Sequence, residues 1–150
     1  MKIRFRLGWA SEKVRARDFK SSATFDLFQD YLGRIGHFTD CVASGLPRQF
    51  AKDASAHLWM CDTSPKAKPL SSEQLAKALE KLQLTGIKEV IILIGGPDGF
   101  TDEQRQSFKP ELLWSFGPMT LPHELAAIVA SEQVYRAFTI LKGLPYHQGH

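Results

Sequence analysis

The five-residue run Val90-Ile91-Ile92-Leu93-Ile94 constrains this chain more than any other segment. A strand that is apolar on both faces has to be covered on both faces, and such strands sit at the centre of parallel sheets flanked by helices. The run passes directly into Gly95-Gly96-Pro97-Asp98-Gly99, a turn that leaves backbone N–H and C=O groups bare. A second apolar run, Leu112-Leu113-Trp114-Ser115-Phe116, ends in the same way at Gly117-Pro118-Met119-Thr120-Leu121-Pro122-His123. In open α/β sheets ligands sit beyond the carboxyl ends of the strands, so these two turns suit a small polar ligand such as a nucleoside cofactor. Taken alone, the first turn is neither a dinucleotide fingerprint nor a P-loop, because no Lys-Ser/Thr pair follows its last glycine.

The rest of the chain supplies the other layers. Lys2–Gly8 alternates, with Ile3, Phe5 and Leu7 on one side and Lys2, Arg4 and Arg6 on the other, which predicts a half-buried strand. Phe25, Phe28, Leu32 and Ile35 predict an amphipathic helix over Ser22–Ile35. Residues 38–43 and 57–61 are the next expected strands, with one or two helical turns allowed between residues 45 and 55. Ser71-x-x-Gln74 and Thr101-x-x-Gln104 are capping boxes that open two further helices. Pro122 suits the first turn of a last helix running to about Lys142. Strands alternating with helices predict a single α/β domain over residues 1–150, a parallel-sheet three-layer sandwich.

The last expected helix is apolar nearly all round, its charges being Glu124, Glu132 and Arg136. Such a helix is covered on more than one side. Either a second subunit covers it, making a homodimer, or it is an ordinary central helix.

Charge is uneven. Residues 1–20 hold seven Lys/Arg against two acids, and the rest of the chain holds twelve against fourteen. A basic edge on a near-neutral body fits contact with nucleic acid phosphate, and it equally fits a plain solvated edge. Arg4 and Arg6 are the candidate contacts within the first strand. Cys41 and Cys61 are far apart and in no metal spacing, which predicts reduced cysteines in a cytoplasmic protein without a metal site. No apolar block has the length of a signal peptide or a membrane span, so no membrane association is expected.

Four segments in order carry a family resemblance: residues 93–99, Met119-Thr120-Leu121-Pro122-His123, Glu132-Gln133-Val134-Tyr135-Arg136-Ala137, and Pro145-Tyr146-His147. With these the chain resembles the ribosomal large subunit methyltransferase H family of the SPOUT superfamily. The resemblance implies a deep trefoil knot at the C-terminal end, within about residues 58–150, and a homodimer. It also implies transfer of a methyl group from S-adenosylmethionine to N3 of a pseudouridine in 23S rRNA of the assembled ribosome. Position by position, it places the cofactor against Cys61 (where the family usually has leucine), Gly96, Gly117, Pro118, Met119, Thr120, Leu121 and Pro122. His123 falls on the substrate side, and Arg136, with Arg4 and Arg6 of the basic edge, is a further candidate substrate contact. Tyr146 and His147 become the catalytic candidates, in a tail that crosses to the partner's site. Histidine titrates near neutral pH, so His147 is the first candidate for accepting the imide proton, or else it contacts phosphate or sugar while solvent takes the proton. Tyr146 stacks on the base or hydrogen-bonds to it.

Two departures from the family pattern matter. Gln148 stands where the family commonly has a basic residue after the tail Tyr-His, and the segment from about residue 43 to 56 is shorter than usual, leaving Arg48 and Lys52 as its cations. They sustain an alternative, a non-catalytic RNA- or ribosome-binding protein that has kept the fold. Cofactor binding without methyl transfer would distinguish it.

Overall fold

A computed structural model of the chain describes residues 1–148. Six strands form one sheet, β1 (Lys2–Leu7), β2 (Cys41–Gly45), β3 (Ala56–Cys61), β4 (Lys68–Pro69), β5 (Glu89–Ile94) and β6 (Leu112–Ser115). Four helices accompany them, α1 (Ser22–Ile35), α2 (Ser72–Leu84), α3 (Asp102–Phe108) and α4 (His123–Leu141). Every strand pair is parallel, in the order β2-β1-β5-β3-β6-β4.

The apolar run is the pivot, as its composition predicts. β5 lies between β1 and β3, with Phe5 and Trp59 on either side of Ile92. Its side chains alternate between two cores. Val90, Ile92 and Ile94 join Ile3, Phe5 and Leu7 of β1 beneath α1, α2 and α4. Ile91 and Leu93 face the other way, with Leu58 and Met60 of β3, under Phe100, Phe108 of α3, Leu46 and Phe50. The sandwich therefore has three layers of unequal weight. Three long helices cover one face, with α4 packed against both α1 and α2. A seven-residue helix and the segment after β2 cover the other.

Chain order across the sheet is interleaved. β5 enters between β1 and β3, and β6 between β3 and β4, each parting strands that come earlier in the sequence. The late strands and the glycine turns after them are thus enclosed by the early ones.

Local chemistry sets the element boundaries. Ser71 and Thr101 each accept the backbone N–H three residues on, and Gln74 and Gln104 reach back to the cap N–H, so both capping boxes form. The second strand starts later than the pattern predicts, because Phe38 N–H donates to Ile35 O at 2.8 Å and prolongs the exit turn of α1. Pairing with β1 begins at Cys41 opposite Ile3. No helical turn forms between residues 45 and 55. Leu46 N–H instead donates to Leu7 O at 3.0 Å, and Phe50 packs on Phe108 with ring centres 5.3 Å apart. No helix among the described residues is long and apolar enough to cross a membrane.

Candidate functional site

The carboxyl ends of β3, β5 and β6 open into one cavity of about 880 Å³. Its lining falls into three groups: Cys61–Thr63 after β3, residues 94–99 after β5, and Phe116–Gly117 with Met119–Ala126 after β6. Lys20 and Thr24, at the start of α1, close it from the side. Of the expected cofactor contacts, Cys61, Gly96, Gly117, Met119, Thr120, Leu121 and Pro122 meet here, as does His123 from the expected substrate side. Pro118 belongs to the same turn without lining the cavity.

The turn after β6 is held by its own backbone. Gly117 adopts φ +103°, in the region that favours glycine. Ser115 Oγ accepts from Gly117 N–H at 3.0 Å and donates to Gly117 O at 3.2 Å, so the strand end clamps the turn. Met119 beyond it is 72% exposed, a large apolar side chain at the rim.

Two of the carboxylates that line the cavity are held in place. Asp62 is buried, and both of its oxygens accept from Arg105 of α3, at 2.8 and 2.9 Å. Burial acts to raise the Asp62 pKa, but the Arg105 guanidinium and further hydrogen bonds outweigh it and hold the carboxyl below its ordinary range. Glu124 is likewise buried, accepting from Lys20 N–H at 2.9 Å and from Thr24 Oγ at 2.7 Å. Those bonds outweigh desolvation and lower its pKa, and they tie the start of α4 to the start of α1. His123 lies with Nε2 3.6 Å from Glu124 and with its ring edge-on to Trp9 at 4.6 Å. Burial, with Asp62 adjacent, pushes the Cys61 thiol up, so this residue lines the cavity as a neutral apolar group.

The expected catalytic pair lies elsewhere in the protomer. Tyr146 OH donates to Glu132 Oε1 at 3.1 Å, and Arg136 stacks on the Tyr146 ring at 4.9 Å. Burial, followed by Tyr31 and Glu132, pushes the Tyr146 phenol up, so it stays protonated and acts as a donor or stacking surface. His147 contacts Arg136 Nη1 through Nδ1 at 3.0 Å and Glu73 Oε1 through Nε2 at 2.8 Å. An arginine can only donate, so Nδ1 accepts and the ring proton sits on Nε2, facing Glu73. Arg136 is also ion-paired with Glu132. The tail thus lies on α2 and α4, and neither Tyr146 nor His147 lines the cavity of its own chain.

Arg4 and Arg6 emerge on the thinly covered face of the sheet. They line a shallow basic groove with Lys2, Lys52 and Lys88. Arg4 pairs with Glu89 at 2.6 Å, Lys52 pairs with Glu111, and Arg6 donates to Gly45 O at 3.0 Å beside the Phe50 ring. Among the described residues no three His, Cys, Asp or Glu side chains gather as a metal site would require. His150 lies outside the described residues.

Sequence reasoning missed Lys20, Thr24, Asp62 and Glu124 as cavity residues. Asp62 and Glu124 directly follow the expected contacts Cys61 and His123, and that adjacency was the available signal. Lys20 and Thr24 come from about a hundred positions away and carry no local pattern.

Comparison with known proteins bears on this geometry. A family model described as predicted SPOUT methyltransferase matches residues 17–147. A protein of Deinococcus deserti named ribosomal RNA large subunit methyltransferase H is 38% identical over 144 residues, covering 95% of this chain and 89% of that relative. The protein of the same name from Deinococcus radiodurans is 51% identical over 85 residues, 57% of each chain. One from Xylella fastidiosa strain M12 is 46% identical over 84 residues, so this match and the preceding one each span little more than half of the relative.

Proposed function

The chain belongs to the SPOUT methyltransferase family and groups with the ribosomal RNA large subunit methyltransferases H, and from that premise we propose that it methylates N3 of a pseudouridine in 23S rRNA of the assembled ribosome. The donor is S-adenosylmethionine, and the reaction takes place in the cytoplasm, where ribosomes are found. The observation that carries the reading is the cavity at the ends of β3, β5 and β6, built from two glycine turns.

The residues present fit such a cofactor. The volume of about 880 Å³ lies within the usual range for ligand cavities. The absence of side chains at Gly96 and Gly117 lets a nucleoside approach the main chain closely, while Ile94, Phe116 and Leu121 offer apolar surface to a purine. Cys61, Gly96, Gly117 and the stretch from Pro118 to Pro122 would hold it. When bound, the cofactor supplies an activated methyl on a sulfonium, which leaves as a neutral thioether when the N–C bond forms. The protein's part is to align the acceptor nitrogen and to receive its proton. Glu124 keeps negative charge beside a cationic ligand, and Tyr146, held protonated, serves as donor or stacking surface for the base.

His147 is the proposed proton acceptor, supplied to each cavity by the tail of the partner subunit. Two features support a tail acting in trans. It does not line its own cavity, and α4 leaves Leu125, Ile128 and Val129 incompletely covered beside the cavity rim. To accept a proton at Nδ1, His147 has to leave Arg136, which ties its chemistry to release from its own protomer. The interleaved strand order supports a trefoil knot within residues 58–150 of a single domain. The basic groove bearing Arg4 and Arg6, together with Arg136 and His123, would meet the rRNA.

The test is transfer of labelled methyl from S-adenosylmethionine to ribosomes lacking the modification, with free 23S rRNA and separated subunits in parallel. Label at one pseudouridine of assembled ribosomes is expected. Cofactor binding with no transfer to any of the three would sink the enzymatic reading and leave a non-catalytic ribosome-binding protein.

A further inference from the structure

The connection between β1 and α1, residues 8–21, holds much of the basic edge of the sequence, and the motifs discussed above give it no role. Connections this long with no more than a single turn of helix are uncommon in compact domains, and they are usually functional or disordered. This one is built. Ser11 Oγ donates to Asp18 Oδ2 at 3.0 Å, and the same oxygen accepts from Arg15 N–H at 2.8 Å. Phe19 is buried, with its ring 5.8 Å from that of Trp9 and 5.4 Å from that of Phe25. Lys13 forms an antiparallel bridge with Ser44. A Cβ at Gly45 would collide with Ala10 O and Ser11 O, so the end of β2 presses bare backbone against the loop.

Both ends of the loop meet the large cavity. At its start, a Cβ on Gly8 would sit 3.0 Å from Gly96 N, and the Trp9 ring stands edge-on to His123. At its end, Lys20 lines the cavity and its N–H donates to Glu124. Across residues 95–99 lies a smaller cavity, with Gly8 and Arg48 in its lining. The loop therefore runs along the cavity rim, with Lys20 at one end and Arg48 beside the other.

Its cations are not engaged. Lys13, Arg15, Arg17, Lys20 and Arg48 are exposed, and among the described residues none forms an ion pair. The groove on β1 differs, because there Arg4 pairs with Glu89, Lys52 pairs with Glu111, and Arg6 donates to Gly45 O. Against the five stand two exposed acids, Glu12 of the loop and Asp98 of the turn after β5. The Asp18 carboxylate is spent within the loop on Ser11 and Arg15 N–H. Unpaired guanidinium and ammonium groups along one rim suit the phosphates of a nucleic acid strand. A loop that is already ordered binds them without the cost of ordering it.

We propose that the β1–α1 loop, with Arg48 beside it, is a preformed phosphate-binding rim. It holds the RNA backbone that flanks the target nucleotide, while the target base meets the methyl donor at the large cavity. This rests on the reading of the chain as an RNA methyltransferase. Phosphate contacts fix the position of a strand and carry no sequence information. The rim thus sets how tightly and in what register the RNA lies, and the chemistry stays with the cavity and the tail.

The experiment measures equilibrium binding to ribosomes lacking the modification, with S-adenosylhomocysteine saturating, over a series of salt concentrations. Beside the unaltered protein stand three variants, each checked for folding by circular dichroism. The loop variant carries Lys13→Gln, Arg15→Gln and Arg17→Gln together. The control carries Lys77→Gln, Lys81→Gln and Lys109→Gln, which removes three exposed charges elsewhere. The third is Asp18→Ala. The loop variant is expected to bind at least about tenfold more weakly, while the control stays close to the unaltered protein. Its plot of log affinity against log salt should be shallower by about 2, since each single-strand phosphate contact carries a slope of about 0.7. Its affinity for S-adenosylhomocysteine alone should be unchanged, because Lys20 is kept. Asp18→Ala makes the protein more positive by one charge, so an edge acting by charge alone would bind more tightly. A preformed rim loses its clamp instead and binds more weakly. No loss in the loop variant, an equal loss in the control, or binding by Asp18→Ala that is unchanged or tighter would overturn the rim and leave the proposed function standing. An unaltered protein that neither binds the ribosome nor transfers a methyl group to it would overturn the proposed function, and the rim with it.

Discussion

Gly117 concentrates the chemistry of the large cavity in one backbone angle. Any side chain at φ +103° strains the main chain by about 1–3 kcal/mol, and the strain falls on a turn already clamped by Ser115. Among the described residues, none beyond its two chain neighbours has an atom within 4 Å of a Cβ built there, so the penalty is conformational and not a clash. Gly117→Ala is therefore expected to fold, and to weaken S-adenosylmethionine binding by on the order of tenfold as the turn shifts. Titration calorimetry together with circular dichroism checks both halves, and unchanged affinity would show that the turn does not hold the cofactor. His147 makes the contrasting case. Its side chain lies away from the cavity of its own chain, so His147→Ala is expected to lower turnover while cofactor affinity stays the same. The two variants separate binding from chemistry, and a His147→Ala protein with lost cofactor affinity would contradict the role given to the tail.

Among the elements, α3 shows how a small helix can matter to the site. Its Arg105 holds both oxygens of Asp62 at the end of β3 and also bonds Asp102 at 2.7 Å, so it locks one cavity edge to the thin layer of the sandwich. The Asp62 pKa is lowered in the folded state from its ordinary 3.8. A depressed carboxyl contributes stability that is fully present above its unfolded pKa and is lost as pH falls through the folded value. Arg105→Gln is thus expected to cost on the order of 2 kcal/mol near neutral pH, through a buried carboxylate left without its partner. The difference from the unaltered protein should shrink as pH drops below the ordinary carboxylate range. Urea unfolding across that pH interval reads it directly, and a constant difference would mean that the pair is not what stabilises this edge. Legibility in the sequence follows the same division into elements. The extent of α1, both capping boxes and the central place of β5 were readable because each rests on contacts within a few residues or on one uninterrupted apolar run. The start of β2 was not, because a helix-exit turn competes with an equally apolar strand pattern. β4 is only two residues long and has no pattern to read. The glycine turns of the site announced themselves, whereas Lys20 and Thr24 join it through Glu124, a contact that only the fold creates.

At the scale of the whole molecule, the question is whether a site is completed within one chain or between two. α4 buries Ala127, Ala130, Val134, Ala137 and Phe138 against the sheet side and leaves Leu125 44% exposed at the rim where Met119 also protrudes. A two-fold axis through such a surface would set the tail of each protomer against the cavity of the other. Complementation distinguishes this arrangement from one closed within the chain. Gly117→Val damages the cavity and spares the tail, and His147→Ala does the reverse. If the tail works in trans, a mixed dimer has one site with both defects and one with neither. Unfolding and refolding an equal mixture of the two inactive proteins should then restore about a quarter of the unaltered activity, since half the dimers are mixed and each has one good site of two. If the tail serves its own chain, every site in the mixed dimer carries one defect and no activity returns. The outcome also bears on the contacts of His147 with Glu73 and Arg136. Restoration in trans would make them the resting berth of a residue that acts on the neighbouring protomer, and failure would leave them as contacts that pin the tail to α2 and α4 of its own chain.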